Sequence, residues 1–498
     1  MTAPTEADGY LPEDRPATDV AEFEQEFAGT PGRTPLVIKL LVAATFVVIL
    51  NETIMINAIP TLMGDFGIDE RAAQWLSTIF MLTMAAVIPI TGWFLQRVST
   101  RTAYAVAMAT FSTGTLLAAV SPAFPVLLVA RVVQASGTAV MMPLLMTTLM
   151  TVVAQSDRGR VMGQVTLAMS CAPALGPAVS GVLLQLGSWR LIFAVVLPIA
   201  AAVGYFGLRQ LENVGEPQVS SVSWTSVVLA ATGFATLVYG LSQIGHAGAG
   251  STTAFIAAGA VLVAVFAAYQ LRLQRSDAPL LDLRTLRHRN FTVSLLLMAA
   301  GFMAFLGSMI LLPLYLQNPL IRDLSPLQTG LMVMPGGLTM GLLGPQVGKL
   351  YDRFGSRPLV IPGSIGMVAC LLFLAQISLT TPFALIIGVH VLLMASLAAI
   401  FTPVFTIGLG DLPPHLYSHG SSLLGTLQQV AGAIGTALLV VVMTNRADDL
   451  GGITDPEAFV GGLQWAFYVG AGMGVVVVLL ALLLPSRVEA PEGAPAAH

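Results

Sequence analysis

A chain of 498 residues that is 55% hydrophobic and only 10% charged, with a mean hydropathy of +0.82, lacks the polar surface that a soluble protein of this size needs. It reads as an all-α protein crossing a membrane many times, with the lipid bilayer as its first partner. A net charge of −4 without a basic patch gives nucleic acid no footing, and the two cysteines, Cys171 and Cys370, lie far apart in apolar runs, which excludes a disulfide framework and thiolate metal spacing.

Residues 1–36 are rich in acid, Pro, Thr and Gly and have no apolar core, so a disordered tail is expected there and not a signal peptide. Fourteen apolar runs follow, each near the ~20 residues that cross a bilayer as a helix: 38–60, 73–95, 102–121, 124–149, 159–186, 190–210, 223–243, 253–273, 291–316, 327–348, 358–377, 383–409, 418–444 and 460–484. Residues 487–498 form a second tail.

Basic residues gather in alternate loops. One side holds Arg97, Arg101, Arg158, Arg160, Arg209, the cluster Arg272 to Arg289, Lys349, Arg353 and Arg357; the other holds only Arg71, Arg190, Arg322 and Arg446. The positive-inside rule places the first side, and with an even number of spans both termini, in the cytoplasm. The chain also repeats: "GWFLQRVSTR" (92–101) after the second span and "GKLYDRFGSR" (348–357) after the tenth share Gly92/Gly348, Arg97/Arg353 and Arg101/Arg357 at identical spacing. Two six-helix units, 37–212 and 276–486, separated by an inserted pair of helices in 213–275, account for that spacing.

In the first span, "FVVILNETIMINAIPTL" (46–62) sets Asn51 and Glu52 in an apolar run, where a carboxylate costs at least ~2.5 kcal/mol and is normally paired, protonated or turned to a wet cavity. Arg131 lies about seven residues into the fourth span from its outer end, and Glu52 about 13 into the first from its inner end. At 1.5 Å per residue both fall roughly 10 Å below the outer surface. Equal depth predicts a direct or water-bridged pair. It serves either as a proton carrier, the proton competing with the guanidinium, or as a static lock between two helices.

Four stretches carry a resemblance: "LNETIMINAIPTL" in the first span, "GWFLQRVSTR", "LLVARVVQASGTA" (127–139) in the fourth, and "APALGPAVSG" (172–181) in the fifth. From about residue 38 to 484 the sequence resembles the major facilitator superfamily, in particular its fourteen-helix drug:proton antiporters, which implies a 6 + 2 + 6 helix plan and proton-coupled export. The resemblance makes Gly92, Arg97 and Arg101, with their copies Arg353 and Arg357, a conformational latch; for Arg101 simple topology signalling serves equally well. The first copy departs from the family pattern, holding Gln96 and Ser99 where the second has Asp352 and Gly355, so the better ion-pair latch is expected at Asp352. Pro173, Gly176, Pro177 and Gly181 match the bent, close-packed helix of antiporters, although small residues at this spacing also make ordinary packing faces. The family usually has Asp where this chain has Asn51. Since one residue turns a side chain by about 100°, Asn51 could take the cavity-facing place while Glu52 faces the fourth span.

Three other features carry less. "GPQVGKL" (344–350) lacks the spacing and the hydroxyl residue of a phosphate loop; His415 and His419 near Asp411 lie in a Pro-interrupted loop that makes a poor metal site; and His390, alone in an apolar helix, reads as a hydrogen-bonded packing residue. Candidate cavity residues are Met55, Asn57, Gln74, Trp75, Gln134, Phe302, Phe305, Met309, Gln428 and Gln429, a lining suited to flat, amphipathic or cationic compounds. The expectation is a monomeric, non-enzymatic exporter in a bacterial inner membrane. It uses protons as coupling ion and no other cofactor, and moves small hydrophobic or cationic compounds by alternating access. A dedicated exporter of one metabolite, lipid or antibiotic is the alternative; for a membrane sensor or enzyme the loops are too short.

Overall fold

The computed structural model describes residues 34–56, 58–211, 213, 223–244, 249–276 and 279–486. Both expected tails, apart from residues 34–36, and the candidate Asn57 lie outside the described residues. Fourteen long helices are present: α1 (Leu36–Ile56), α2 (Glu70–Arg97), α3 (Thr100–Ala119), α4 (Phe124–Val152), α5 (Arg158–Leu186), α6 (Arg190–Gln210), α7 (Trp224–Ser242), α8 (Ala249–Leu273), α9 (Arg289–Gln317), α10 (Pro326–Phe354), α11 (Arg357–Leu374), α12 (Phe383–Gly410), α13 (Tyr417–Leu450) and α14 (Pro456–Leu482). A short helix, Ile59–Phe66, follows α1, and no strand occurs among the described residues. In lipid a helix satisfies its backbone polar groups internally, which is why apolar runs of this length settle into helices.

Several ends are set by side chains. Asp69 accepts from the Ala72 amide at 2.8 Å to start α2, Ser99 accepts from Thr102 to start α3, and Ser325 and Gln328 form a reciprocal capping box at α10. Gly67, with φ of 61°, ends the short helix in the left-handed region that a residue with a Cβ adopts at a cost.

Twelve of the helices are long and apolar enough to cross a membrane, thirteen with the two parts of α5, which bends by 41° between Gln155–Gly176 and Ala178–Leu186. Fourteen spans were expected, and α10 is the one that falls short on apolarity. Its 29 residues include six glycines and three prolines, which lower its hydropathy and let it lie close against α5 and α12. An ideal Cβ at Gly163 of α5 would stand 2.2 Å from the Gly344 carbonyl oxygen of α10, and one at Gly348 would stand 2.0 Å from that of Gly159.

Helices α1 to α6 pack among themselves, as do α9 to α14. The two groups meet along α5–α10 and α2–α13, with α4–α13 and α5–α12 between them. Helices α7 and α8 pack on each other, and α7 lies against both α2 and α13. Phe234 and Val238 of α7 share an apolar cluster with Ala85 of α2 and with Val430 and Ala433 of α13, so the inserted helix covers one seam between the groups.

Candidate functional site

Arg131 is 2% exposed, deep among α2, α3 and α4. Its Nε donates to the Leu76 carbonyl at 3.3 Å and its Nη1 to Gln134 Oε1 at 3.0 Å. Gln134 Nε2 in turn donates to Thr115 Oγ1 at 2.8 Å, and the guanidinium lies 4.1 Å from the centre of the Phe80 ring. A buried charge needs such partners, and here two helices besides its own hold it in place. Gln134, expected to line the cavity, is thus fully enclosed and holds Arg131 with its side chain.

Equal depth predicted a direct or water-bridged pair; among the described residues no direct ion pair joins Glu52 and Arg131, although each feels the other's charge. Glu52 is half-buried. Its neighbour Asn51 is completely enclosed, and neither its Oδ1 nor its Nδ2 has a hydrogen-bond partner. This reverses the assignment of faces: the 100° step turns Asn51 into the packed interior and leaves Glu52 the partly open place. Met55, one turn further, is also buried in the core. Thr53 faces α5, bonding the Ala172 carbonyl at 3.4 Å, and a Cβ at Gly176 would stand 2.4 Å from its Oγ1. The bend in α5, beside Pro173, Gly176 and Pro177, thus packs against Thr53, the residue after Glu52 in the chain.

In the second group Phe302 and Phe305 of α9 meet Phe401 of α12, the Phe302 and Phe401 rings stacked with centroids 4.8 Å apart. Gln428 and Gln429 on α13 are half-buried, the Gln428 Nε2 enclosed without a partner, while Met309 is exposed. Gln74 is exposed, and Trp75 stacks on Tyr239 of α7 at 5.7 Å, so Trp75 serves the inserted helix. Sequence reading missed Phe401, Phe80 and Thr115. No motif or spacing in the sequence marks any of the three.

Polar contacts between the groups gather at the arginine-rich end. Asp352, past the apolar run of α10, accepts from the Gly159 and Arg160 amides at 2.9 and 2.7 Å and so caps the start of α5 across the seam. Burial pushes its carboxyl up to about 6, against the opposing pull of those two hydrogen bonds. At the equivalent position Gln96 donates to the His415 carbonyl at 2.8 Å. Thr91 with Ser422, Thr147 with Ser421, and Thr166 with Thr402 pair at 3.1, 3.0 and 2.9 Å. Gly92 lets α2 lie against His419, whose Nδ1 would stand 3.0 Å from a Cβ there. Arg97 and Arg353 lie over Trp93 and Phe354 on their own helices, Arg101 is exposed, and Arg357 Nε donates to the Leu484 carbonyl at 3.1 Å. Gly181, near the other end of α5, approaches Leu327 of α10.

A sequence model of the Major Facilitator Superfamily matches residues 41–436. The chain belongs to that superfamily. It is 37% identical to the uncharacterized MFS-type transporter YcnB of Bacillus subtilis, over 94% of this chain and 98% of that one. It is 36% identical to the lincomycin resistance protein LmrB of Listeria monocytogenes, over 93% and 99%. The multidrug resistance protein B homolog of Mycobacterium tuberculosis matches at 29% over 81% and 75%. Among solved structures, the human organic anion transporter MFSD10 (TETRAN) superposes with a TM-score of 0.64 at 16% identity, over 90% and 100%. At that identity the likeness speaks for the fold. As a major facilitator the protein is a multi-pass membrane transporter, and the residues around Arg131, the aromatic trio and the seams are its candidate machinery.

Proposed function

We propose that this transporter is a proton-coupled antiporter exporting small hydrophobic or cationic compounds, its two six-helix units, 37–212 and 276–486, rocking about the seams α5–α10 and α2–α13. On this reading the arginine-rich end faces the cytoplasm, and the seams that meet there close the path to that side. The observation that carries the reading is Glu52: a half-buried carboxyl, electrostatically tied to an Arg131 whose hydrogen bonds go elsewhere, and adjacent to the α1–α5 contact at Thr53 and Gly176. Because Arg131 is anchored to Leu76 and Gln134, it biases Glu52 without locking it. Protonation changes the charge beside the bend of α5, and α5 carries the change along its length to the Asp352 latch. The stacked phenylalanines, with the unpartnered Gln428 amide, offer a flat apolar surface and a polar handle to a substrate.

Proteoliposomes with an imposed pH gradient and the probes ethidium and lincomycin test this. Uphill movement should collapse on dissipating the gradient and should need no ATP; uphill movement without any ion gradient would contradict it. A narrower substrate range has one observation in its favour, the higher identity to LmrB, at 36%, than to the multidrug homolog, at 29%.

A further inference from the structure

The two groups of helices are related residue by residue further than the loop motifs reveal. Gly92 and Gly348 lie 256 positions apart, and so do Phe80 of α2 and Gly336 of α10. On α4 and α12 the matching step is 259: each helix begins at a phenylalanine, Phe124 or Phe383, and seven residues on stands a basic side chain, Arg131 or His390. Packing supports this alignment independently. Gly137 of α4 abuts Ala107 of α3, and their counterparts Ser396 and Gly363 abut each other between α12 and α11.

The environments of the two basic residues correspond as well. Arg131 lies over Phe80 and donates to the Leu76 carbonyl. His390 lies against Gly336, the counterpart of Phe80, so closely that a Cβ there would stand 2.4 Å from its Cδ2 and 2.6 Å from its Nε2. The polar group that meets its ring is the Val333 backbone, one position past the counterpart of Leu76. What differs is the acid. The α9 helix, which takes the place of α1, contains no Asp or Glu, and no charged side chain among the described residues acts on His390. A guanidinium there would be a permanent, unpaired buried charge, whereas an imidazole can hold or release its proton near neutral pH.

We propose that His390 is a second proton-binding group of the transport cycle, the repeat-related counterpart of Arg131, loading and unloading as α10 shifts against α12. The free ring nitrogen takes a proton from water on one side of the membrane and returns it to water on the other. Pro335, which removes one hydrogen bond from α10 between Val333 and Gly336, gives that helix a place to flex. The inference rests on the proton-coupled reading of Glu52.

Two measurements test it. In nanodiscs, ¹⁵N-histidine NMR, with the signal assigned by its absence in His390→Gln, should show the ring changing protonation state between about pH 3 and 8; one protonation state throughout overturns the proposal. In proteoliposomes at clamped membrane potential, with whichever of ethidium and lincomycin the wild type moves uphill, His390→Gln should lower the steady substrate gradient sustained per pH unit by about tenfold, one proton's worth. The glutamine keeps a donor for Val333, so a purely structural histidine predicts a wild-type gradient for His390→Gln and a loss of folded protein only for His390→Leu, and that pattern also overturns it. A wild type indifferent to the pH gradient would count against the Glu52 reading, whereas a normal wild type with an unaltered His390→Gln counts against this proposal alone.

Discussion

The α5–α10 and α2–α13 seams close the same end of the molecule by different means. Along α5–α10 the backbones touch through facing glycines, and the seam ends in a carboxylate capping a helix on the other side. Along α2–α13 the helices are joined by hydroxyls and by Gln96 in place of the carboxylate, and α7 covers the outside. Glycine contact tolerates almost no added volume and no intermediate spacing, so the first seam is suited to two discrete positions. The hydroxyl seam can exchange partners as it slides. The bent helix that touches Thr53, the residue after Glu52, belongs to the glycine seam.

The largest effect should come from adding bulk to the glycine seam. Gly163→Val meets the Gly344 backbone, which cannot move aside, and should abolish transport and destabilise the protein by about 3 kcal/mol or more. In the other seam a Cβ at Gly425 meets only a side-chain methyl of Ile88, at 3.2 Å, so Gly425→Ala should leave transport within about twofold. Equal damage at both sites, by transport assay and thermal unfolding, would erase the distinction.

A smaller effect is expected at Asp352. Its carboxyl sits at about 6 when the latch is closed, above its ordinary 3.8, so closure is favoured when it is protonated and that advantage fades as pH rises from about 4 through 6. Spin-label distances across the arginine-rich end should show more of the closed state at pH 5 than at pH 8, and Asp352→Asn should flatten the difference. A steeper or inverted profile in the variant would assign the pH response elsewhere. Smallest is Ser422→Ala, which removes the bonds to Thr91 and to the Ile88 carbonyl and should cost about 1 kcal/mol in thermal unfolding while transport continues.

The fourteen helices were legible because they follow from run length. Orientation around each helix was not. Asn51 and Glu52 differ by one step, and only the packing of the neighbouring helices decides which is enclosed. Gln134 was expected in the cavity, yet Thr115 and Arg131, one of them on another helix, consume its amide. Asp352 was read as the better ion-pair latch; among the described residues its hydrogen bonds come from the Gly159 and Arg160 backbone amides of α5, and main-chain donors leave no trace in a sequence. The low apolarity of α10 is the converse case: its glycines weaken the hydropathy signal because they are spent on contact with α5.

Proton coupling through Glu52 stands or falls with Glu52→Gln, since the amide keeps the shape and removes only the titratable charge. Ethidium and lincomycin flux in proteoliposomes should be measured downhill and against a concentration gradient under an imposed pH gradient, beside Arg131→Met and the double variant. Glu52→Gln should keep downhill exchange and lose uphill transport, and the double variant should recover part of the roughly 3–5 kcal/mol that Arg131→Met alone is expected to lose. Uphill transport at the wild-type rate in Glu52→Gln would contradict the claim and leave the pair with Arg131 as a structural lock.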